Sequence, residues 1–218
     1  MEKTIQAIRD RHSVRNYREG KIEKEKLAQL NEMIAKLNEQ GNLNVQLLED
    51  AGDTFNRFFN RALGLGSAPS VIICAGPDDD TLDERVGYYG EQLVLFAKTL
   101  GLDTCWAGTF NRKKTDASLG AGERVVIVIA IGYAAKPGNQ HKSKTAEQVS
   151  GGTGRKPAGF DFGVEMALLA PTAINQQKFE ITYDNDNIEI KDLGGILSKV
   201  DLGIVKYHFE VGSKYAAQ

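Results

Sequence analysis

The longest apolar run in this chain, residues 125–131, has the length of a buried β-strand and is far too short for a membrane helix. A membrane-spanning helix needs about 20 apolar residues. The run lies within residues 124–133, and together with a second apolar run at 69–75 it predicts two buried strands. Between them, residues 80–100 place apolar side chains at helical spacing, which predicts an amphipathic helix. A chain that mixes such elements favours the α+β class.

Hydrophobic periodicity predicts the remaining elements. Residues 178–192 alternate in the way of a β-hairpin, with the turn at 184–187. Residues 202–211 fit either a strand or a helix, and we favour the helix. Helices are also expected at 3–10, 23–39, 45–63 and 160–170. Gly41 is expected to cap the C-terminus of the second of these helices. Loops are expected at 101–108, which is short and apolar, and at 150–159.

Composition excludes several classes of protein. The chain has 218 residues and no repeat, charge block or linker, so we expect a single domain over residues 1–218. It has 27 Lys and Arg residues against 29 Asp and Glu residues, and a net charge of −2 leaves no global basic field for nucleic acid. The two cysteines form no CxxC pair, which indicates a reducing compartment. Without an apolar N-terminal segment that resembles a secretory signal, we expect a soluble, cytoplasmic protein.

Metal and nucleophilic chemistry find little support. The three histidines, His12, His141 and His208, lie far apart and show no ligand spacing, so no metal site is expected. No GxSxG motif is present. Cys105, beside Trp106, is either a reactive thiol or a small buried apolar residue, and we favour the second because no cation adjoins it in sequence. We therefore expect no side chain of this protein to act as a catalytic acid, base or nucleophile.

A dense cationic motif stands near the N-terminus. Residues 11–15 read Arg-His-Ser-Val-Arg, which places two guanidinium groups, an imidazole and a hydroxyl within five residues. Such a group can hold a phosphate through charge-assisted hydrogen bonds. The alternative is a solvated basic turn, and the motif alone favours neither.

Three further features bear polar or backbone groups that suit a ligand. Residues 170–177 place Thr, Asn and Gln side chains after a helix, which suits a heterocycle or a polyol, although a plain capping turn explains them too. Residues 101–108 contain the single Trp between glycines, where backbone N–H groups can face a planar ligand or the segment can simply pack in the core. Lys142 and Lys144 follow on a loop, where lysines are usually solvated.

Taken together, these motifs resemble the nitroreductase family of FMN flavoproteins. The resemblance rests on RHSVRNY at 11–17, GYYGEQLVLFAKTLGLDTCWAGTF at 87–110, ERVVIVIAIGY at 123–133 with HKSK at 141–144, and LAPTAINQQKF at 169–179. The last motif follows the first by more than 150 residues, which is similar to a variant branch of the family with a rearranged C-terminal third. Where the family usually has Gln-Pro-Trp, this chain has Gln177-Lys178-Phe179, and Thr172 replaces the usual Ser.

The resemblance implies a fold, a cofactor and an activity. The fold would be an α+β sandwich with a central, mainly antiparallel sheet flanked by helices. The protein would be a homodimeric oxidoreductase that carries FMN at the subunit interface. It would take a hydride from NADH or NADPH and pass electrons to a small-molecule acceptor such as a quinone or a nitroaromatic. The alternatives are a relative of the oxygen-dependent, flavin-cleaving branch, an FMN-binding module without turnover, and a phosphate-binding protein without flavin.

The resemblance also assigns residues to FMN. Arg11 and Ser13 would hold the phosphate and ribityl end, with His12 nearby, and Arg15 would approach the N1 edge of the flavin. A fixed cation at that edge raises the reduction potential, because negative charge develops there on reduction. Backbone N–H groups near Ala107 and Gly108 would face flavin N5. Lys142 and Lys144 would add charge at the phosphate, beside residues 11–15, and Trp106 and Gln177 are further implied contacts. From the partner subunit, the implied contacts are Pro171, Thr172, Ala173 and Asn175.

Overall fold

A computed structural model describes residues 1–51, 53–55, 65–139 and 142–218, and these residues combine helices with mainly antiparallel strands. The helices within them are α1 (Glu2–Asp10), α2 (Lys24–Gly41), α3 (Leu82–Thr99), α4 (Ala146–Val149), α5 (Phe160–Ala167) and α6 (Ser198–Ala216). The strands are β1 (Gln46–Leu48), β2 (Ser70–Pro77), β3 (Asp103–Ala107), β4 (Glu123–Gly132), β5 (Ser150–Thr153), β6 (Phe179–Asp184) and β7 (Asn187–Asp192). The predicted α+β class is confirmed.

The chain divides into two compact units, each assembled from separate stretches of sequence. One, the sheet unit, comprises residues 11–82 and 93–140. The other, the helical unit, comprises residues 1–10, 83–92 and 141–218. The expectation of a single domain over 1–218 stays a prediction.

The sheet unit is built on a four-stranded antiparallel sheet in the order β1-β2-β4-β3. Strand β4 pairs with β2 on one side and β3 on the other, so its residues 126–131 are buried. This central position explains why the longest apolar run of the sequence shows no alternation. Apolar residues of β2, β3 and β4 form a core together with two residues that precede the sheet in sequence. The strand residues are Val71, Ile73, Cys105, Ala107, Val128 and Ala130, and the two preceding residues are Val14 and Tyr17.

Helix α2 confirms the predicted amphipathic stripe but ends differently. Its apolar residues at helical spacing are buried, as expected from the sequence. Gly41, predicted as the cap, is the last helical residue instead. Asn42 follows it with φ of 47°, in the left-handed region, and its backbone N–H donates to the carbonyl of Asn38. Asn tolerates this conformation better than most residues, so it replaces glycine as the cap.

The helical unit holds a smaller sheet, β5-β6-β7, and a closely packed helix pair. The predicted hairpin at 178–192 is confirmed as β6 and β7, with the turn at Asn185-Asp186. The ambiguous segment 202–211 lies inside α6, which confirms the helix. Where α3 meets α6, a Cβ on Gly203 would lie 2.0 Å from the carbonyl oxygen of Glu84. Only glycine allows the two backbones to approach so closely.

A fully buried histidine joins three helices of the helical unit. His208 of α6 places Nδ1 3.0 Å from the carbonyl oxygen of Met166 in α5. Its Nε2 lies 3.0 Å from Oε1 of Glu91 in α3. Both side chains are wholly excluded from solvent.

Three predicted segments differ from the structure. The helix predicted at 45–63 is wrong at its start, because residues 46–48 form strand β1 and pair with β2. Of its later part, residues 52 and 56–63 lie outside the described residues. The apolar segment 101–108 contains strand β3 instead of a loop, since its residues pair with β4. The predicted loop at 150–159 begins with the short strand β5, which pairs in parallel with β6.

The structure also bears on membranes and metals. None of the described helices is long and apolar enough to cross a membrane. Within residues 1–51, 53–55, 65–139 and 142–218, no three His, Cys, Asp or Glu side chains lie together as a metal site requires. His141 lies outside these residues.

Gly203→Ala tests the close approach of α3 and α6. Alanine is normally the better helix former, yet its methyl group would collide with the backbone of Glu84 and Tyr88. We expect the free energy of unfolding, measured with urea, to fall by about 1–3 kcal/mol. Gly151→Ala is the control, because nothing lies within 4 Å of its Cβ position. A Gly203→Ala protein as stable as the parent would contradict the packing.

Candidate functional site

The cationic motif lies along the outer edge of β3. Ser13 forms a parallel bridge with Thr104, and the backbone N–H of Val14 donates to the Thr104 carbonyl over 3.0 Å. Further along, Tyr17 pairs with Ala134, just after β4. This charged segment is accommodated because it lies at the sheet edge, where only Val14, Tyr17 and the Arg11 side chain are buried.

Alternate residues of this extended segment gather around one thiol. Arg11, Ser13 and Arg15 all act on Cys105 of β3, the two arginines through their charge and Ser13 through a hydrogen bond. Side chains two residues apart in an extended chain share a face, which explains the convergence. The structure therefore places three of the residues predicted to bind FMN where they act on Cys105, although no cation adjoins Cys105 in sequence.

The Cys105 thiol is nevertheless held in its neutral form. Burial raises the pKa of Cys105, and the charges of Arg15 and Arg11 and the Ser13 hydrogen bond offset only part of that rise. Burial likewise raises the pKa of Cys74, in β2, to about 12. A thiol that stays protonated is a poor nucleophile, in keeping with the prediction that Cys105 is structural.

The end of β3 presents backbone groups beside this cluster. Because Thr104 directs its carbonyl outward to Val14, strand alternation directs the backbone of Trp106 to the same edge. Ala107, predicted to supply a backbone N–H, instead pairs toward Val128 of β4. Gly108 follows the strand and is exposed. At this end of the strand the outward-facing backbone is therefore that of Trp106, whose carbonyl accepts a hydrogen bond from the Cys105 thiol over 3.5 Å.

His12 faces a different environment from its neighbours. It lines a cleft of ≈ 480 Å³ together with Arg18, Lys98, Asp103 and Tyr133. In this cleft Lys98 pairs with Asp103 at 2.9 Å. His12 thus lines this cleft, in the same unit as Arg11, Ser13 and Arg15.

The remaining predicted ligands form a second cluster within the helical unit. The Nζ of Lys144 donates to the backbone carbonyl of Gln177 over 2.6 Å, and its backbone N–H donates to Oε1 of the same residue over 2.7 Å. Asn175 Nδ2 donates to the carbonyl of Lys142 over 2.8 Å. Sequence reasoning grouped the two lysines with residues 11–15, whereas the structure joins them to the 171–177 segment.

Gln177 holds this cluster together from the inside. It is only 2% exposed, and its backbone N–H donates to Oγ1 of Thr172 over 3.1 Å. Its Nε2 also approaches Oδ1 of Asn175 at 3.3 Å. With its amide engaged in these bonds, Gln177 positions the segment, while the exposed Asn175 remains accessible to a ligand.

One residue of this cluster escaped the sequence analysis. Asp201, in the first turn of α6, accepts hydrogen bonds from the backbone N–H of Ala173 and from Nε2 of Gln176. In the sequence it looks like any acidic residue at a helix N-terminus. Nothing in the local pattern indicates a partner 28 residues away.

The sequence was compared with protein families and with curated proteins. Residues 3–213 match the model of a family described as "Putative TM nitroreductase". No curated protein matches the sequence at a significant level.

Two solved structures illustrate the similarity of fold. A putative nitroreductase from Thermotoga maritima MSB8 is 24% identical, with a TM-score of 0.68 over 97% of this chain and 84% of its own. A putative NADH oxidase from Clostridium acetobutylicum is 21% identical, with a TM-score of 0.51 over 66% of this chain and 96% of its own. At these identities the two proteins share the fold of this chain.

Thiol labelling tests the environment around Cys105. In the folded protein at about pH 8, we expect iodoacetamide to leave Cys74 and Cys105 unmodified, because each thiolate is suppressed by burial. For Cys74 the suppression is roughly a thousandfold relative to an ordinary thiol. Mass spectrometry after labelling measures the modification, and the same reaction in denaturant, where both thiols should react, is the control. Rapid labelling of Cys105 in the folded protein would restore the reactive-thiol interpretation.

Proposed function

Because this chain belongs to the TM nitroreductase family, whose model matches residues 3–213, we propose that it is an FMN-dependent oxidoreductase. The proposed reaction transfers electrons from NADH or NADPH to a small electrophile such as a quinone or a nitroaromatic. The observation that carries the proposal is that Arg11, Ser13 and Arg15, on the segment paired with the β3 edge, all act on the pKa of the same thiol, Cys105. Bound FMN would supply the hydride and electron chemistry.

The donor set suits the two ends of FMN. Proteins commonly use guanidinium and hydroxyl groups to bind phosphate, and Arg11 and Ser13 provide one of each two residues apart. Arg15 is exposed, so its charge can act on a ligand as well as on the protein. No side chain in this arrangement needs to move a proton, which accords with the absence of a predicted catalytic residue.

Absorbance spectroscopy tests the activity directly. The purified protein, or the protein with added FMN, should show the flavin bands, and NADH or NADPH should bleach them. Flavin bands that resist both nicotinamides would favour the binding module without turnover. A protein that ignores added FMN would overturn the proposal.

Arg11→Ala tests the phosphate end of the site. Losing one charge-assisted hydrogen bond to a ligand costs about 1.5–3 kcal/mol, so we expect the Kd for FMN to rise roughly ten- to a hundredfold. Quenching of FMN fluorescence gives the Kd. Arg155→Ala is the matched control, since Arg155 is exposed and pairs with Asp186 at the β6–β7 turn. Equal Kd values for Arg11→Ala and the parent would refute the assignment.

We propose further that the protein is a homodimer and that each FMN lies between two copies of the chain. The 171–177 segment supports this proposal, because apolar side chains near it are exposed. Ile174 is 82% exposed, and Leu193 and Ile196 are exposed as well. Ile196 lies near the 171–177 segment, because its carbonyl accepts a hydrogen bond from Nε2 of Gln176. Exposed apolar patches of this kind commonly mark interfaces.

Complementation tests the shared site. One variant carries Arg11→Ala and Ser13→Ala, and the other carries Thr172→Val and Asn175→Leu. Each variant alone should lose FMN, because both of its sites are damaged. Refolded together, half of the dimers are mixed and each mixed dimer has one intact site of two, so up to about a quarter of the parental FMN content should return.

The controls are each variant refolded with itself, and a tag on one variant that shows how many mixed dimers form. Mixed dimers that recover no FMN would mean that both clusters contact the cofactor from the same chain.

A further inference from the structure

The segment 172–177 has an unusual backbone. Ile174, Asn175 and Gln177 have φ values of 48°, 56° and 44°, all in the left-handed region. Asn tolerates this region, but a β-branched residue such as Ile adopts it rarely. A strained conformation persists only when surrounding contacts determine it, and such strain is concentrated at functional sites.

Asp201 supplies the contacts that fix this backbone from one side. Both of its carboxylate oxygens lie 3.0 Å from the backbone nitrogen of Ala173, the residue before Ile174. Its Oδ2 also accepts from Nε2 of Gln176 over 2.7 Å. Gly195 allows the Gln176 side chain to reach Asp201, since a Cβ at 195 would lie 2.3 Å from Oε1 of Gln176.

The opposite side of the segment contacts the lysines. Gln177 and Asn175 bind Lys144 and the carbonyl of Lys142, as described above. The segment is therefore held between Asp201 and residues 142–144. Loss of either anchor would free the strained residues that carry the exposed Asn175 and Ile174.

The contacts of Asp201 suit an ionised carboxylate. Both neighbouring groups are N–H donors, whereas a carboxyl group would carry a proton of its own towards one of them. Burial raises the pKa of Asp201 to about 6; the hydrogen bonds from Gln176 and Ala173 oppose that rise, and the charge of Asp192, at the end of β7, adds to it. Asp201 therefore changes its charge close to neutral pH.

We propose that Asp201 is a positioning residue, whose carboxylate holds residues 172–177 in the conformation that contacts FMN, so that protonation of Asp201 weakens FMN binding. This inference rests on the proposed function. Asp201 lies outside the motifs that resemble the family, yet it would determine how residues 172–177 contact FMN.

The sign of the pH dependence separates positioning from a purely structural role. Because the pKa of Asp201 is raised on folding, the folded chain binds more protons than the unfolded chain between about pH 4 and pH 6. The contribution of Asp201 to stability is thus present at low pH and is lost as the pH rises through about 6. Positioning predicts the opposite trend for FMN, whose affinity should fall as the pH drops through the same range. A structural role alone would make affinity follow stability.

FMN titrations at several pH values between about 5 and 8 test the proposal on the full chain. In the parent, we expect the Kd to rise about tenfold from pH 8 to pH 5, beyond the effect of the FMN phosphate, which itself titrates near pH 6. Asp201→Asn keeps the shape of the side chain but cannot titrate, so it should retain only the phosphate effect. Asp192→Asn should move the midpoint of the parent profile to lower pH. Asp186→Asn, at the exposed hairpin turn, is the control and should follow the parent.

The amide resonance of Ala173, observed by NMR without FMN, gives a second measurement. It should titrate near pH 6 in the parent and stay constant in Asp201→Asn. The inference would be overturned if the Kd for FMN depended on pH in the same way in the parent and in Asp201→Asn. If Asp201→Asn does not fold, Asp192→Asn decides instead. A pH dependence of the Kd in Asp192→Asn that is unshifted from the parent would then overturn the inference. A parent that binds no FMN at pH 8 would overturn the proposed function, and this outcome is distinct from pH-insensitive binding.

Discussion

The candidate site of the sheet unit depends on one backbone hydrogen bond, from the N–H of Val14 to the carbonyl of Thr104. This bond registers the cationic segment against β3. Because the segment is extended, the register decides which side chains enter the core and which lie at the edge of the sheet. Val14 packs in the core that also holds Cys105, while Arg11, Ser13 and Arg15 act on the pKa of the Cys105 thiol. A shift by one residue would bring a polar or charged side chain to the position of Val14, so the charge of the site depends on the strand pairing.

The main elements of the fold could be predicted because their periodicity is strong and local. The helix at 80–100 and the strand at 124–133 carry long, unambiguous apolar patterns, and both are confirmed as α3 and β4. Errors arose where pairing with a distant strand decides the structure. Strand β1 has only three residues and owes its conformation to β2, and β3 owes its conformation to β4. A window of local sequence contains no record of such partners.

The candidate site, like the fold, could be predicted only where its residues are close together in the sequence. The charged motif at 11–15 was visible because its chemistry is concentrated in five neighbouring residues. The contacts of Lys144 with Gln177, and of Asp201 with Ala173, join residues about thirty positions apart, and no periodicity links them. An unreactive Cys105 was predicted, but the two arginines near it were hidden, and its thiol stays neutral because burial outweighs their charges. The sequence therefore predicted which residues are candidates for the site, whereas their contacts with one another became visible only in the structure.

The buried contact between His208 and Glu91 fixes a proton count in the core of the helical unit. The carbonyl of Met166 can only accept, so Nδ1 of His208 must carry a hydrogen. Nε2 and the Glu91 carboxylate then need one further hydrogen between them to form their own bond. Whichever atom holds it, the two side chains together are electrically neutral. Helices α3, α5 and α6 thus meet over a polar link that leaves no net charge in a dry interior.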